Sequence, residues 1–138
     1  MDATTTRPLR ILVVEDEAVN RALLRAVLGS SLRAAIGPAE LSEAATLAEA
    51  RRLIRDSLPD VLILDVRLPD GSGLDLAREL PQPGTPGRPK VVIMSASVLP
   101  SDRAAAEASG SDAFLGKPFN PKDLVAVLER LVRGAGGT

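Results

Sequence analysis

Four short apolar runs in this chain are too continuous to line a half-exposed sheet. They are Ile11-Leu12-Val13-Val14, Val61-Leu62-Ile63-Leu64, Val91-Val92-Ile93-Met94 and Ala113-Phe114-Leu115-Gly116. A strand with one wet face alternates apolar and polar side chains, whereas a strand in a parallel sheet covered by helices on both faces is apolar throughout. Between the runs, apolar residues recur at helical spacing. Five such β–α units predict a doubly wound α/β sandwich. Each run also stops at a residue capable of phosphate or metal chemistry: Glu15-Asp16, Asp65, Ser95 and Lys117-Pro118. The C-terminal strand ends of an open parallel sheet share one edge, and ligands bind along it. Three carboxylates, a hydroxyl and an ammonium are therefore expected to converge.

The first strand is expected at Arg10–Val14, after a flexible segment of residues 1–9. Val19, Ala22, Leu23, Ala26 and Val27 have the spacing of one buried helix face, and Gly29-Ser30-Ser31 is expected to end that helix. The second strand is read at Ala39–Ala44, although few of its residues are β-branched. Thr46 and Glu49 have capping-box spacing for a second helix that continues through Leu53 and Ile54 until Pro59. A third helix is expected at Leu74–Leu80. Asp70-Gly71 reads as a turn pair, which makes Gly71 and Gly73 turn geometry. Residues 81–89 are dominated by proline and glycine and read as a surface loop. A fourth strand (Val91–Met94), a fourth helix (Ser101–Ser109) and a fifth strand (Ala113–Leu115) follow. The last helix carries Leu124, Val127, Leu128 and Leu131, with Asn120 as N-cap and Pro121 at its first position. One domain over residues 10–133 and a frayed tail over 134–138 complete the reading.

Composition narrows the chemistry. The chain has 138 residues, a formal net charge of −1, and neither cysteine nor histidine. Disulfides, thiolate zinc sites, cysteine nucleophiles and histidine-based acid–base catalysis are all excluded. Any metal must be held by oxygen, which favours Mg²⁺, Ca²⁺ or Mn²⁺. The balanced charge points neither to nucleic acid nor to an anionic membrane. No apolar run approaches the roughly 18 residues of a membrane span, and no secretory signal precedes the first strand, so a cytoplasmic location is expected. Three clustered carboxylates repel one another, and without a cation at least one should titrate high. Mg²⁺ would relieve that conflict, Lys117 would add a fixed positive charge, and Ser95 a small donor. An aspartate can form an acyl phosphate, and Asp65, ending the central strand, is the best placed.

Taken together, Val14-Glu15-Asp16, Leu64-Asp65-Val66-Arg67-Leu68-Pro69-Asp70-Gly71-Ser72-Gly73, Met94-Ser95-Ala96 and Gly116-Lys117-Pro118-Phe119 resemble a response-regulator receiver domain of two-component signalling, in the CheY-like superfamily. The resemblance covers about Arg10 to Arg133. It implies a flavodoxin-like sheet of order 2-1-3-4-5 with five helices. It implies Asp65 as phosphoacceptor, Asp16 as direct Mg²⁺ ligand, Glu15 as the second acid, and the backbone carbonyl of Arg67 as a further metal ligand, with Mn²⁺ an alternative ion. Ser95 would bind a phosphoryl oxygen, Lys117 would pair with the phosphate, and Phe114 would be the aromatic whose rotamer follows activation.

The implied phosphodonor is a sensor histidine kinase or a histidine phosphotransfer domain. The implied output is a downstream protein bound through the face of the fourth helix, fifth strand and fifth helix, by a monomer or weak dimer. On this reading the chain catalyses only its own aspartyl phosphorylation and dephosphorylation. It is either a stand-alone receiver or one piece of a longer regulator or hybrid kinase. Serine at 95 replaces the usual threonine, glutamate at 15 replaces a common aspartate, and Phe114 lacks a tyrosine hydroxyl. By the same resemblance, Arg67 and Ser97 stand at positions that in the family tune autodephosphorylation, and Arg67 is expected to alter water access. Two alternatives stand beside this reading. One is a phosphorylation-independent interaction module on the same scaffold. The other is a Mg²⁺-dependent phosphohydrolase, which would need an acid where Arg67 stands.

Overall fold

A computed structural model describes residues 7–136. Its sheet comprises β1 (Leu9–Val14), β2 (Ala39–Ala44), β3 (Val61–Asp65), β4 (Lys90–Ser95) and β5 (Ala113–Gly116). The strands are parallel and lie in the order β2-β1-β3-β4-β5, the flavodoxin-like arrangement expected. Alternate residues of the central strands feed two separate cores. Ile11, Val13, Ile63, Val92 and Met94 face one layer of helices, while Leu12, Val14, Leu62, Leu64 and Ile93 face the other. Burial on both faces is why the runs contain no polar residue. At about 1.5–3 kcal/mol for each fully buried aliphatic side chain, these strands supply a large part of the force that holds the chain together.

Among the described residues, five helices flank the sheet. The first, α1, is continuous from Ala18 to Ile36: Ala18–Ala26 and Leu32–Ile36 are α-helical and Val27–Ser31 between them is π-helical. The others are α2 (Leu47–Asp56), α3 (Gly73–Glu79), α4 (Pro100–Ala108) and α5 (Pro121–Gly136). Two expectations for α1 are corrected. Gly29-Ser30-Ser31 does not end it: the backbone continues through the π-helical stretch, where Ser30 Oγ donates to the Ala26 carbonyl at 2.9 Å and burial of Leu28 and Leu32 on either side holds the chain on the core. Termination comes at Gly37, whose φ of 103° no side-chain-bearing residue adopts comfortably. The buried face is Leu24, Val27, Leu28 and Leu32, whereas Val19 and Leu23 are 79% and 44% exposed. With the helix extended, the second apolar stripe buries more area and wins the sheet.

Other local signals act as the sequence predicts. Thr46 caps α2 by accepting from the Glu49 amide at 3.1 Å, and Glu49 returns to the Ala45 amide at 2.9 Å, one residue before the capping-box position. Asn120 Oδ1 accepts from the Lys122 amide at 2.8 Å and starts α5. The 81–89 loop is held by Arg88, whose guanidinium donates to the carbonyls of Pro81 (2.8 Å) and Gly110 (2.7 Å). Residues 1–6 of the expected N-terminal segment, and 137 and 138 of the expected tail, lie outside the described residues. Among the described residues, no helix is long and apolar enough to cross a membrane.

Candidate functional site

Strand direction alone puts the chemistry at one edge. Glu15 follows β1 and is fully buried, its amide donating to Ala44 of β2 at 3.0 Å. Its Oε2 accepts the Glu17 amide at 3.0 Å. Asp16, the next residue, is exposed at the mouth of the cleft. Asp65 ends β3 and is buried, with its Oδ1 3.4 Å from the Arg67 amide. Ser95 ends β4, also buried, and its Oγ accepts the Ser97 amide at 3.1 Å. Lys117 follows β5, and its amide donates to the Ser95 carbonyl at 2.8 Å, which fixes the root of the side chain.

From that root the ammonium reaches across the sheet edge. Lys117 Nζ donates to Asp65 Oδ2 at 2.9 Å and lies 2.7 Å from Glu15 Oε1. Asp16, Asp65, Arg67, Ser95, Ser97 and Lys117 line one open cleft. The expected convergence is therefore present for six of the seven predicted residues: Glu15, Asp16, Asp65, Arg67, Ser95 and Lys117. Phe114 lies outside the cleft. It is half-buried on β5 opposite Ile93, against the second core, with the Arg103 guanidinium 4.8 Å from its ring centroid.

Electrostatics separate the two buried acids. Burial is the largest influence on Asp65 and pushes its carboxyl up; Lys117 offsets this only in part, and Glu15 adds to it. Burial also pushes Glu15 up, but there the Lys117 ion pair and the Glu17 amide prevail and hold it below the usual range. Lys117 is raised: burial opposes its charge, and the two carboxylates outweigh that. Four carboxylates (Glu15, Asp16, Glu17 and Asp65) against the Lys117 ammonium and the Arg67 guanidinium leave the cleft net negative. Glu15, Asp16 and Asp65 offer oxygens that all lie within 4.8 Å of one another. Glu15 Oε1 is buried with no hydrogen bond of good geometry. A hard divalent cation that takes oxygen ligands and retains waters fits this donor set.

Reading along the sequence missed three contributors. Asp70 accepts the Leu47 and Ala48 amides at 2.8 and 3.0 Å, across to the start of α2. Asp102 accepts the Ser97 hydroxyl, and Arg103 covers Phe114. Asp70 stood in plain view as half of a turn pair; nothing in the sequence marks the other two.

Comparison with known proteins identifies the family and fold. The chain is 37% identical to the KDP operon transcriptional regulatory protein KdpE of Escherichia coli (strain K12) over 130 residues, 93% of this chain and 53% of that protein. It is 34% identical to the phosphate regulon transcriptional regulatory protein PhoB of the same organism, over 90% of this chain and 52% of that one. The chain thus spans about half the length of these curated relatives. Among solved structures, the receiver domain of sensor histidine kinase PA1611 from Pseudomonas aeruginosa PAO1 superposes with a TM-score of 0.74 at 28% identity, covering 90% of this chain and 97% of that one. That structure has a magnesium ion coordinated in its active site cleft. Residues 11–129 match the response regulator receiver domain family, and the chain belongs to that family.

Proposed function

We propose that this receiver takes a phosphoryl group onto Asp65 from a phosphohistidine of a sensor kinase or phosphotransfer domain. The observation that carries the reading is the placement of Asp65: buried at the end of the central strand, 2.9 Å from Lys117 Nζ and clustered with two further acids. In the transfer, an Asp65 carboxylate oxygen forms the new P–O bond while the P–N bond of the donor breaks, and the electron pair leaves with the imidazole. Glu15, Asp16, Asp65 and the Arg67 carbonyl would hold Mg²⁺, with Mn²⁺ an alternative. When bound, such an ion offsets charge on the phosphoryl oxygens. Lys117 supplies a second fixed positive charge to the same oxygens, and the Ser95 hydroxyl donates a hydrogen bond.

The product adds negative charge beside Ser95 and Lys117, both joined to the α4 and β5 side of the molecule. That change biases the packing of the α4-β5-α5 face and so binding of a downstream protein, with Phe114 following. The chain acts on itself and is not a turnover enzyme; it works in the cytoplasm as a monomer or weak dimer. Arg67, in place of an acid, leaves a phosphohydrolase without its general acid. Intact mass after incubation with Mg²⁺ and acetyl phosphate tests the proposal. One phosphoryl adduct, dependent on Mg²⁺ and lost in Asp65→Ala, is expected. Absence of an adduct with acetyl phosphate and with a phosphohistidine donor would overturn it in favour of a phosphorylation-independent module.

A further inference from the structure

We infer that Asp70 is a positioning residue for the Asp65 site, acting by tethering the turn after β3 to the start of α2. This rests on the proposed Asp65 and Mg²⁺ reading and concerns what holds that site in shape. An aspartate that merely forms a turn bonds its own backbone a residue or two on. Asp70 instead spans two elements: Oδ1 accepts from Leu47 at 2.8 Å and Oδ2 from Ala48 at 3.0 Å. Thr46 accepts the next amide, that of Glu49. The first three unpaired amides of α2 are thus all satisfied by side chains, two of them by a loop more than twenty residues away.

That loop is the one that shapes the acceptor. Arg67–Leu68 pairs with Gly71–Ser72 in a two-residue hairpin, and Asp70 sits in its bend. The base is held by the Val66 amide on Met94 (3.2 Å) and the Gly73 amide on Val66 (2.8 Å). The tip is held against α2 by the two Asp70 bonds and by packing of Gly71 on Leu47: a Cβ at Gly71 would lie 2.9 Å from Leu47 Cδ1. Between base and tip runs Arg67, whose amide faces Asp65 Oδ1 and whose carbonyl is a proposed metal ligand. Releasing the tip frees the segment that aims both groups.

The test is Mg²⁺ affinity of the unphosphorylated protein, by titration calorimetry, beside thermal unfolding. Wild type, Asp70→Ala, Ala48→Glu and the double variant Asp70→Ala/Ala48→Glu are compared. Glutamate in the first turn favours the helix start without recreating the tether. Outer partners of metal ligands typically change affinity 10–100-fold, and a tether one step further out should change it about three- to tenfold. The double variant is expected to regain thermal stability while binding Mg²⁺ three- to tenfold more weakly than Ala48→Glu. Asp70→Asn, which keeps one acceptor, should fall between and serves if the alanine variant does not fold. Mg²⁺ affinity that recovers along with stability, or never changes, overturns the inference and leaves Asp70 a helix cap. Wild type that binds Mg²⁺ but gains no adduct at Asp65 overturns the phosphoryl reading, and Asp70 is then still decided by the Mg²⁺ titration. Wild type that binds no Mg²⁺ overturns both.

Discussion

Replacing Gly73 by alanine should damage fold and site together. Gly73 is the first residue of α3, and its φ is not in the left-handed region, so backbone conformation does not require glycine there. Space does: a Cβ would stand 2.1 Å from the Asp65 carbonyl oxygen and 2.9 Å from Leu64 Cγ. Ordinary contact begins near 3.4 Å, so the two elements must separate by roughly 1.3 Å. The obstructing atom belongs to the backbone of Asp65 and has no rotamer to change. Overpacking of this kind costs about 1–3 kcal/mol, and stretching the 2.8 Å bond from Gly73 to the Val66 carbonyl adds about 1 kcal/mol. Alanine's better helix propensity returns at most about 1 kcal/mol. With that full return the net loss is about 1–3 kcal/mol, which at ~3 °C per kcal/mol for a domain of this size lowers Tm by roughly 3–9 °C. Urea titration followed by circular dichroism reads the first quantity, and the rate of Mg²⁺-dependent adduct formation should fall with it. A variant within about 0.5 kcal/mol of wild type, phosphorylated at the wild-type rate, would refute the close approach of α3 to the Asp65 carbonyl.

Three further perturbations probe other parts of the structure. Lys117→Met leaves Glu15 and Asp65 buried without a cation; since Lys117 is itself 17% exposed, the low end of the 3–5 kcal/mol range, about 3 kcal/mol, is expected. Thermal unfolding should show the deficit shrinking at saturating Mg²⁺, and a deficit below about 1 kcal/mol in the ion's absence would contradict the pairing. Burial pushes Asp60 up, but the Arg7 guanidinium (2.9 Å) and the Arg10 amide (2.8 Å) outweigh it and hold its carboxyl below the usual range. A depressed folded pKa stabilises above the ordinary value of about 3.9 and is lost as pH falls through the folded one. Asp60→Asn should therefore lower stability at neutral pH and match wild type in strong acid, as urea titrations at both ends would show. Leu32→Ala should cost about 2–5 kcal/mol and Leu23→Ala well under half as much, since only Leu32 is fully buried. The reverse order would restore the shorter first helix.

Those choices mark where the sequence is legible and where it is not. The sheet could be read because continuous apolar runs are a one-dimensional trace of burial on both faces, and the edge that carries the site follows from strand direction. Glu15, Asp65, Ser95 and Lys117 needed no knowledge of packing to be brought together. The first helix could not be phased in the same way. Its residues carry one apolar stripe through Val19 and Leu23 and another through Leu24, Leu28 and Leu32, and only the docked sheet chooses between them. Nor can an alphabet of residues show that a carbonyl passes within 2.1 Å of where a glycine would carry Cβ, or that an aspartate in a turn reaches amides of another helix. Each of these is a relation between elements, not a property of a segment. Asp70, Gly71 and Gly73 all lie in the ten residues from Leu64 to Gly73, where the motif reads as an acceptor followed by a turn. The strand end puts Asp65 at the right edge of the sheet; the contacts of that loop with Leu47, Ala48 and Met94 determine which way its carboxylate and the Arg67 backbone face. Positioning of Asp65, the proposed acceptor, is thus decided by the part of the motif that, read as sequence, looks least chemical.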